Sequence, residues 1–149
     1  MHSIDFIEVQ RILSEVCANI DDSKFLPDRV VALSPNGVFV GKMISEYFDL
    51  PLTCVSWNTD GIECESNCWL PEDAIDGQQL LIVMDKSDDK LIDGFCKDWD
   101  SSSCGGDWEY NVRYVTMIKD GNSDFNFDYV GITVEDVMDV KLPYTQWWS

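Results

Sequence analysis

Hydrophobic positions follow a helical period in some segments of the chain and form short unbroken runs in others. Residues 3–20 place apolar side chains at helical spacing, which predicts an amphipathic helix with Ser3 as its N-cap and an end near Asp21. Val38 to Phe48 has the same period and predicts a second helix. The first half of residues 85–109 predicts a third, with these side chains facing the core: Leu91, Ile92 and Phe95.

Five apolar runs have the length and composition of strands. They are Arg29–Leu33, Leu52–Trp57, Leu80–Met84, Val112–Ile118 and Phe127–Gly131. The third run is apolar throughout, which predicts a central strand covered on both faces. Residues 58–78 show no sustained period and predict a loop or a small flap.

The order of these elements predicts one α/β domain over residues 1–149. Strands that alternate with helices are typical of a mainly parallel, twisted, doubly wound sheet with helices on its faces. In such sheets ligands bind beyond the carboxyl ends of the strands. Two turns fall there, Ser34–Gly37 and Asp85–Ile92, and these are the predicted places for a site.

Charge narrows the classes of partner. Ten basic and 28 acidic residues give a formal charge of −18, which disfavours binding to nucleic-acid phosphates or acidic membranes. We interpret the charge as a solubilising surface; an acidic decoy for a nucleic-acid-binding protein is the alternative. No apolar run has the roughly 18 residues of a membrane helix, and the acidic N-terminus is unlike a secretory signal. We therefore expect a cytoplasmic protein.

The six cysteines do not follow the spacing of a zinc site. Cys64 and Cys68 could form one ligand pair, but no second pair follows at finger spacing, and the only histidine, His2, is terminal. Without an export signal we expect thiols rather than disulfides.

In this order of elements the chain resembles the type I phosphoribosyltransferases, and among them the bacterial xanthine-guanine type. Asp28 to Val38 resembles the strand and turn that hold diphosphate, and Leu80 to Lys90 resembles the signature strand and loop. Later segments follow in the family's order: Thr116–Lys119, Asp128–Gly131 and Gln146–Trp148. The resemblance runs over nearly the whole chain.

The resemblance implies transfer of ribose 5-phosphate from phosphoribosyl diphosphate to a purine base, and a homodimer. Asp85 matches a sugar-binding acid that holds Mg²⁺ together with the diphosphate, and Asp88 matches the acid near the base. The implied substrate-binding positions are Asn36 and Gly37 for diphosphate, Asp89 and Lys90 for the 5-phosphate, Lys119 for the purine oxygen and Tyr144 for stacking. For the stacking position, Pro143 is the alternative.

The motif departs from the family on its phosphate side. Met84 replaces the first sugar-binding acid, and Pro35 with Asn36 replaces the arginine and a glycine of the diphosphate turn. Asp89 and Lys90 stand where a threonine and a glycine form the 5-phosphate cradle. A carboxylate there repels phosphate, and the loss of glycine restricts the close approach of the backbone.

Two functional hypotheses remain. The first is a divergent purine phosphoribosyltransferase, with Asp85 and Asp88 as the catalytic residues. The second is a non-catalytic relative that binds a nucleobase, a nucleotide or a protein partner in a regulatory role. Acids after a strand often cap the next helix, so Asp85 and Asp88 also have a purely structural interpretation.

Overall fold

A computed structural model describes residues 2–33, 37–58, 61–64, 78–101 and 110–144. Its helices are α1 (Phe6–Asp22), α2 (Val38–Phe48) and α3 (Asp89–Ser101), and a 3-10 turn spans Val137–Asp139. Its strands are β1 (His2–Ser3), β2 (Arg29–Leu33), β3 (Leu52–Asn58), β4 (Gly61–Cys64), β5 (Gln78–Lys86), β6 (Tyr110–Asp120), β7 (Tyr129–Val134) and β8 (Val140–Lys141).

Six strands form the main sheet in the order β4-β3-β2-β5-β6-β7. The five strands from β3 to β7 in this order pair in parallel, and β4 joins the edge antiparallel to β3. β5 lies between β2 and β6, as its unbroken apolar run predicts. The short strands β1 and β8 pair separately, also in parallel. The predicted α/β fold with a mainly parallel sheet is thus confirmed.

Alternate residues of the strands build one apolar layer on each face of the sheet. Val30 lies in the layer that α1 and α2 cover, whereas Val31 lies in the layer covered by α3. Ile92 and Phe95 of α3 are buried there, and Leu91 packs at the edge of the same layer. No helix among the described residues is long and apolar enough to cross a membrane.

The first helix begins later than its periodicity predicts. Asp5 is the N-cap of α1, and its carboxylate accepts the Glu8 N–H at 2.8 Å. The predicted N-cap, Ser3, lies in β1 instead, where the chain pairs with β8. The prediction was wrong because this pairing partner lies more than 130 residues away in the sequence and leaves no local signal.

Other boundaries differ too, since β5 and β6 each extend two residues beyond the predicted run at both ends. Within residues 58–78 the structure has strand β4, which pairs antiparallel with β3, and residues 59–60 and 65–77 of the predicted flap lie outside the described residues. β7 begins at Tyr129 rather than at Phe127, because Phe127 stacks edge-on against Phe125 beside the α3 layer. The loop 102–109 and the aromatic tail 145–149 also lie outside the described residues.

Gly37, the last residue of the first predicted turn, packs closely against the central strand β5. Its N–H donates to the Leu33 carbonyl at 2.7 Å, and its own carbonyl accepts the Gly41 N–H at 2.8 Å. A Cβ on Gly37 would lie 2.5 Å from the Val83 carbonyl oxygen. Because that neighbour is backbone of a buried strand, it cannot move aside, and α2 starts directly against β5 only with glycine at this position.

We predict that Gly37→Ala lowers the free energy of unfolding by about 1–3 kcal/mol, the usual cost of forcing an extra methyl group into a packed interior. Gly121→Ala is the matched control, since its Cβ would lie 3.2 Å from a single carbonyl oxygen. Urea unfolding of both variants measures the difference. Equal losses of stability would contradict the close approach of Gly37 to β5.

Candidate functional site

The predicted site residues lie at the carboxyl ends of the central strands. Asp85 and Lys119 are near the ends of β5 and β6, which pair along most of their length. Asp88 and Asp89 follow β5 at the start of α3, and Tyr144 approaches Asp85 from the C-terminal part of the chain. The two parallel strands bring these residues together as the predicted topology requires.

Asp85 is a buried carboxylate, with 3% of its surface exposed. Its Oδ1 accepts the Lys86 N–H at 2.6 Å, and its Oδ2 accepts the Tyr144 hydroxyl at 3.0 Å. Burial raises the pKa of Asp85 to about 6, although these two hydrogen bonds oppose the shift. Both carboxylate oxygens therefore already have protein partners.

Tyr144 is fixed on two sides. Its ring stacks on Phe39 with the centroids 4.3 Å apart and the planes 13° from parallel. Its hydroxyl donates to Asp85, and burial together with that carboxylate raises the pKa of the phenol well above its ordinary value. One face of the ring and its hydroxyl are thus engaged within the protein, and the stacking role that the resemblance implies for Tyr144 stays a prediction. Sequence reasoning missed Phe39, because the helical period marks it only as an apolar position of α2.

The turn after β5 is closed by its own side chains and backbone. Lys86 Nζ donates to the Val140 carbonyl at 2.7 Å, and the Ser87 N–H donates to the Ile118 carbonyl at 2.8 Å. Ser87 Oγ accepts the Asp120 N–H at 2.8 Å. Neither Lys86 nor Ser87 was predicted as a site residue, since each of their partners is at least 30 residues away in the sequence.

Asp88 and Asp89 act as hydrogen-bond acceptors at the start of α3. Asp88 Oδ1 accepts the Leu91 N–H at 3.1 Å, the geometry of a helix N-cap and the structural alternative that the sequence left open. Asp89 accepts the Ser123 hydroxyl and, at 2.9 Å, the Asp124 N–H. Asp89 therefore ties α3 to the loop after β6 across the place where the resemblance expects a phosphate. Lys90 is exposed in the first turn of α3.

An open cleft of about 380 Å³ lies next to this turn. Its described lining combines three carboxylates with hydroxyl and amide groups: Ser87, Asp89, Asp120, Asn122, Ser123 and Asp136. The carboxylates also hold the loops in place, since Asp120 accepts the N–H groups of Asn122 and Val137 and these bonds lower its pKa. The described lining contains no lysine or arginine, so the cleft is electronegative.

The remaining predicted site residues have no described contact with Asp85. Lys119 is half-buried near the end of β6, where its backbone pairs with β7, and its side chain has no hydrogen-bond or ion-pair partner within the described part of the chain. Gly37 lies at the start of α2, where its backbone is used within the fold. Asn36 lies outside the described residues. Pro143 precedes Tyr144 in the chain, and it is Tyr144 whose hydroxyl reaches Asp85.

Solved structures share this architecture at low sequence identity. A purine phosphoribosyltransferase from Pyrococcus horikoshii aligns with 97% of this chain and 95% of its own, with a TM-score of 0.72 and 16% identity. A xanthine-guanine-hypoxanthine phosphoribosyltransferase from Helicobacter pylori aligns with 97% of this chain and 92% of its own, with a TM-score of 0.75 and 11% identity. The chain has the type I phosphoribosyltransferase fold. The predicted resemblance is confirmed at the level of fold.

A hypothetical protein from Neisseria gonorrhoeae with bound ppGpp is also similar in structure to this chain. That protein aligns with 96% of this chain and 89% of its own, with a TM-score of 0.70 and 18% identity. No family model and no curated protein matches the sequence. Because a fold hosts many functions, activity has to be argued from the residues of the site.

The Mg²⁺ predicted between Asp85 and a bound diphosphate stays a prediction. Within the described residues no group of three or more His, Cys, Asp or Glu side chains could hold a metal ion. Asp85 is buried with both oxygens in use, and its neighbour Met84 offers no oxygen ligand. Since Mg²⁺ binds through accessible oxygens, Asp85 would have to release a present partner to act as a ligand.

We predict that Asp85→Asn changes how stability depends on pH. The pKa of Asp85 rises from 3.8 to about 6 on folding, so its stabilising contribution is fully present below pH 3.8 and is lost as the pH rises through 6. The asparagine variant keeps an acceptor for the Lys86 N–H and a partner for Tyr144 but does not ionise. Relative to wild type it should gain about 2–3 kcal/mol of stability between pH 4 and pH 7.

Chemical unfolding of both proteins over this pH range tests the prediction, because the other carboxylates titrate equally in both. Asp88→Asn is the control, since it removes an exposed carboxylate of the same turn. A stability difference between wild type and Asp85→Asn that stays constant from pH 4 to pH 7 would show that Asp85 titrates normally.

Proposed function

We propose that this chain uses the phosphoribosyltransferase fold to bind an uncharged purine, as base or nucleoside, and that it does not transfer ribose phosphate. The observation that carries the proposal is the state of Asp85. Transfer needs this carboxylate to contact the sugar, yet its two oxygens accept hydrogen bonds from Lys86 and Tyr144. A regulatory role, in which binding rather than turnover is the output, follows from this.

The phosphate side supports the same proposal. Asp89 bridges to Ser123 and Asp124 where a phosphate cradle would need free N–H groups and a neutral hydroxyl. The adjacent cleft has three carboxylates in its described lining, and a phosphate entering it would meet like charge in a partly desolvated setting. We therefore expect phosphorylated ligands, including ppGpp, to bind poorly.

The base side has the groups that a purine needs. The cleft offers the second carboxylate oxygen of Asp136 as an acceptor for a purine N–H, and hydroxyl and amide groups of Ser87, Asn122 and Ser123 for its other polar atoms. Lys119 is not among the described lining residues but directly precedes Asp120, which is one of them. Because it is half-buried and its ammonium is unpaired within the described residues, it is our proposed donor to a purine oxygen. Small-molecule sites with a few converging polar groups commonly have volumes of about 300–1,000 Å³, and this cleft lies in that range.

One observation favours the transferase instead. The carboxyl ends of the neighbouring strands β5 and β6 carry Asp85 and Lys119, and Asp88 follows β5. Transfer from phosphoribosyl diphosphate would use this arrangement. In that case Asp85 would have to lose its bond to Tyr144 before any sugar could bind. The two functions differ in whether diphosphate is released.

We predict that the protein releases no diphosphate from phosphoribosyl diphosphate with guanine, xanthine, hypoxanthine or adenine, with or without Mg²⁺. Phosphorus NMR at high protein concentration measures this. Release that depends on one base and disappears in Asp88→Asn would establish the transferase and reject our proposal.

We further predict that calorimetry detects binding of a 6-oxopurine base or nucleoside, with the 5′-monophosphate at least about tenfold weaker because of carboxylate repulsion. Lys119→Met should weaken binding about tenfold, the value of one charge-assisted hydrogen bond. Lys90→Met is the matched control, because it removes an exposed charge from the same edge. Absence of binding by every base and nucleoside would reject the binding function.

A further inference from the structure

Tyr144 has the contacts of a bound ligand, although it belongs to the chain. Its ring lies flat on Phe39 at 4.3 Å, and its hydroxyl donates to buried Asp85 at 3.0 Å. A flat ring that stacks on an aromatic side chain and donates one hydrogen bond to a carboxylate is how a protein commonly binds an aromatic molecule.

Asp85 depends on this contact. Lys86 N–H satisfies Oδ1, and within the described residues Tyr144 is the only side chain that donates to Oδ2. A carboxylate that is 97% buried needs such donors, because an unpaired ionised group in the interior is strongly unfavourable. Any molecule that binds to Asp85 must therefore replace Tyr144.

The ring of Phe39 also contacts an aromatic side chain at the surface. Phe6, at the start of α1, is 49% exposed and lies 6.0 Å from Phe39, measured between ring centroids. The rings of Phe6, Phe39 and Tyr144 thus form a row from solvent to Asp85, which we call the aromatic row. Only the innermost ring of the row is hydrogen-bonded to the carboxylate.

The chain can release Tyr144 without unfolding the core. Leu142 is fully buried and anchors the chain two residues before Tyr144, just beyond β8. Tyr144 itself is only partly buried against the core. A change in the backbone after Leu142 would therefore move the phenol away from Asp85 while β8 stays paired with β1.

From these contacts we propose that Tyr144 is a removable plug over a second binding position, formed by Asp85 and the face of Phe39. The position accepts a planar aromatic molecule that carries an O–H or N–H donor, and such a molecule binds by displacing the phenol. This inference goes beyond the proposed function, because the position lies apart from the carboxylate-lined cleft, whose described lining contains neither Asp85 nor Phe39.

Binding of phenol by Tyr144→Ala tests the proposal directly. The substitution leaves a space of the shape of phenol, with Asp85 and Phe39 unchanged, and phenol should raise the melting temperature of the variant. Toluene has nearly the same shape but no donor, and should bind at least about tenfold more weakly, since Asp85 would lose its hydrogen bond. Wild type should bind phenol at least about tenfold more weakly than Tyr144→Ala, because Tyr144 competes for the position.

Two results would overturn the proposal. Equal affinity of wild type and variant for phenol would show that Tyr144 does not compete, and equal stabilisation of the variant by toluene would show that Asp85 does not recognise the donor. Neither result bears on purine binding in the cleft. Displacement of Tyr144 would free one oxygen of Asp85, so the absence of transfer is tested separately, by the diphosphate assay.

A second variant keeps the test valid if Tyr144→Ala does not fold. Tyr144→Phe retains the stack on Phe39 but lacks the hydroxyl, so it should compete less well for the position. Phenol should bind this variant about tenfold more tightly than wild type, as loss of one hydrogen bond to a carboxylate implies. Equal affinity of this variant and wild type for phenol would show that Asp85 does not hold the plug.

Discussion

The arrangement at the carboxyl ends of the central strands depends on one buried carboxylate, that of Asp85. Asp85 ends the apolar part of the central strand beside β6, and only 3% of its surface is exposed. Burying an ionised group is unfavourable unless it is hydrogen-bonded, so the chain brings Tyr144 to it from 59 residues further along the sequence. The stack of that ring on Phe39 then connects β5 to the start of α2 and to the C-terminal segment.

Other acidic side chains serve the fold in a simpler way. Asp28 accepts the Gln79 N–H at the start of β5, and Asp128 accepts the Tyr114 N–H in β6, each at 2.8 Å. Asp5, Asp88 and Asp136 accept N–H groups at the starts of α1, α3 and the 3-10 turn. These acids thus satisfy backbone donors, and a decoy function is not needed to explain them. Among them Asp136 also lines the cleft, where its charge disfavours phosphate.

Periodicity predicted the fold well wherever burial alone decides the structure. β2 and α2 have the predicted bounds, because Arg29–Leu33 and Val38–Phe48 each bury a complete face or run. The start of α1 depends on the pairing of β1 with β8, which is distant in the sequence and leaves no local pattern. The start of β7 depends on the contact between the rings of Phe125 and Phe127, which periodicity does not reveal. The site was predictable only in outline: topology brings Asp85, Asp88 and Lys119 to one edge, but the partners of Asp85 and Asp89 come from distant segments.

The replacement of the first sugar-binding acid by Met84 agrees with the burial of Asp85 next to it. Met84 is 2% exposed and lies in the α3 layer with Ile92 and Phe95, so an acid at position 84 would place a second carboxylate in an apolar interior. Two neighbouring acids at the end of a strand are tolerable only when water, a metal ion or a bound sugar reaches both. This strand end is instead closed on one face by apolar packing and on the other by Tyr144. Asp85 is thus a single buried acid whose hydrogen-bond donors come from the chain itself. Such a site is suited to a ligand that displaces the Tyr144 hydroxyl. It lacks the open pair of acids that transfer of a ribose phosphate would need.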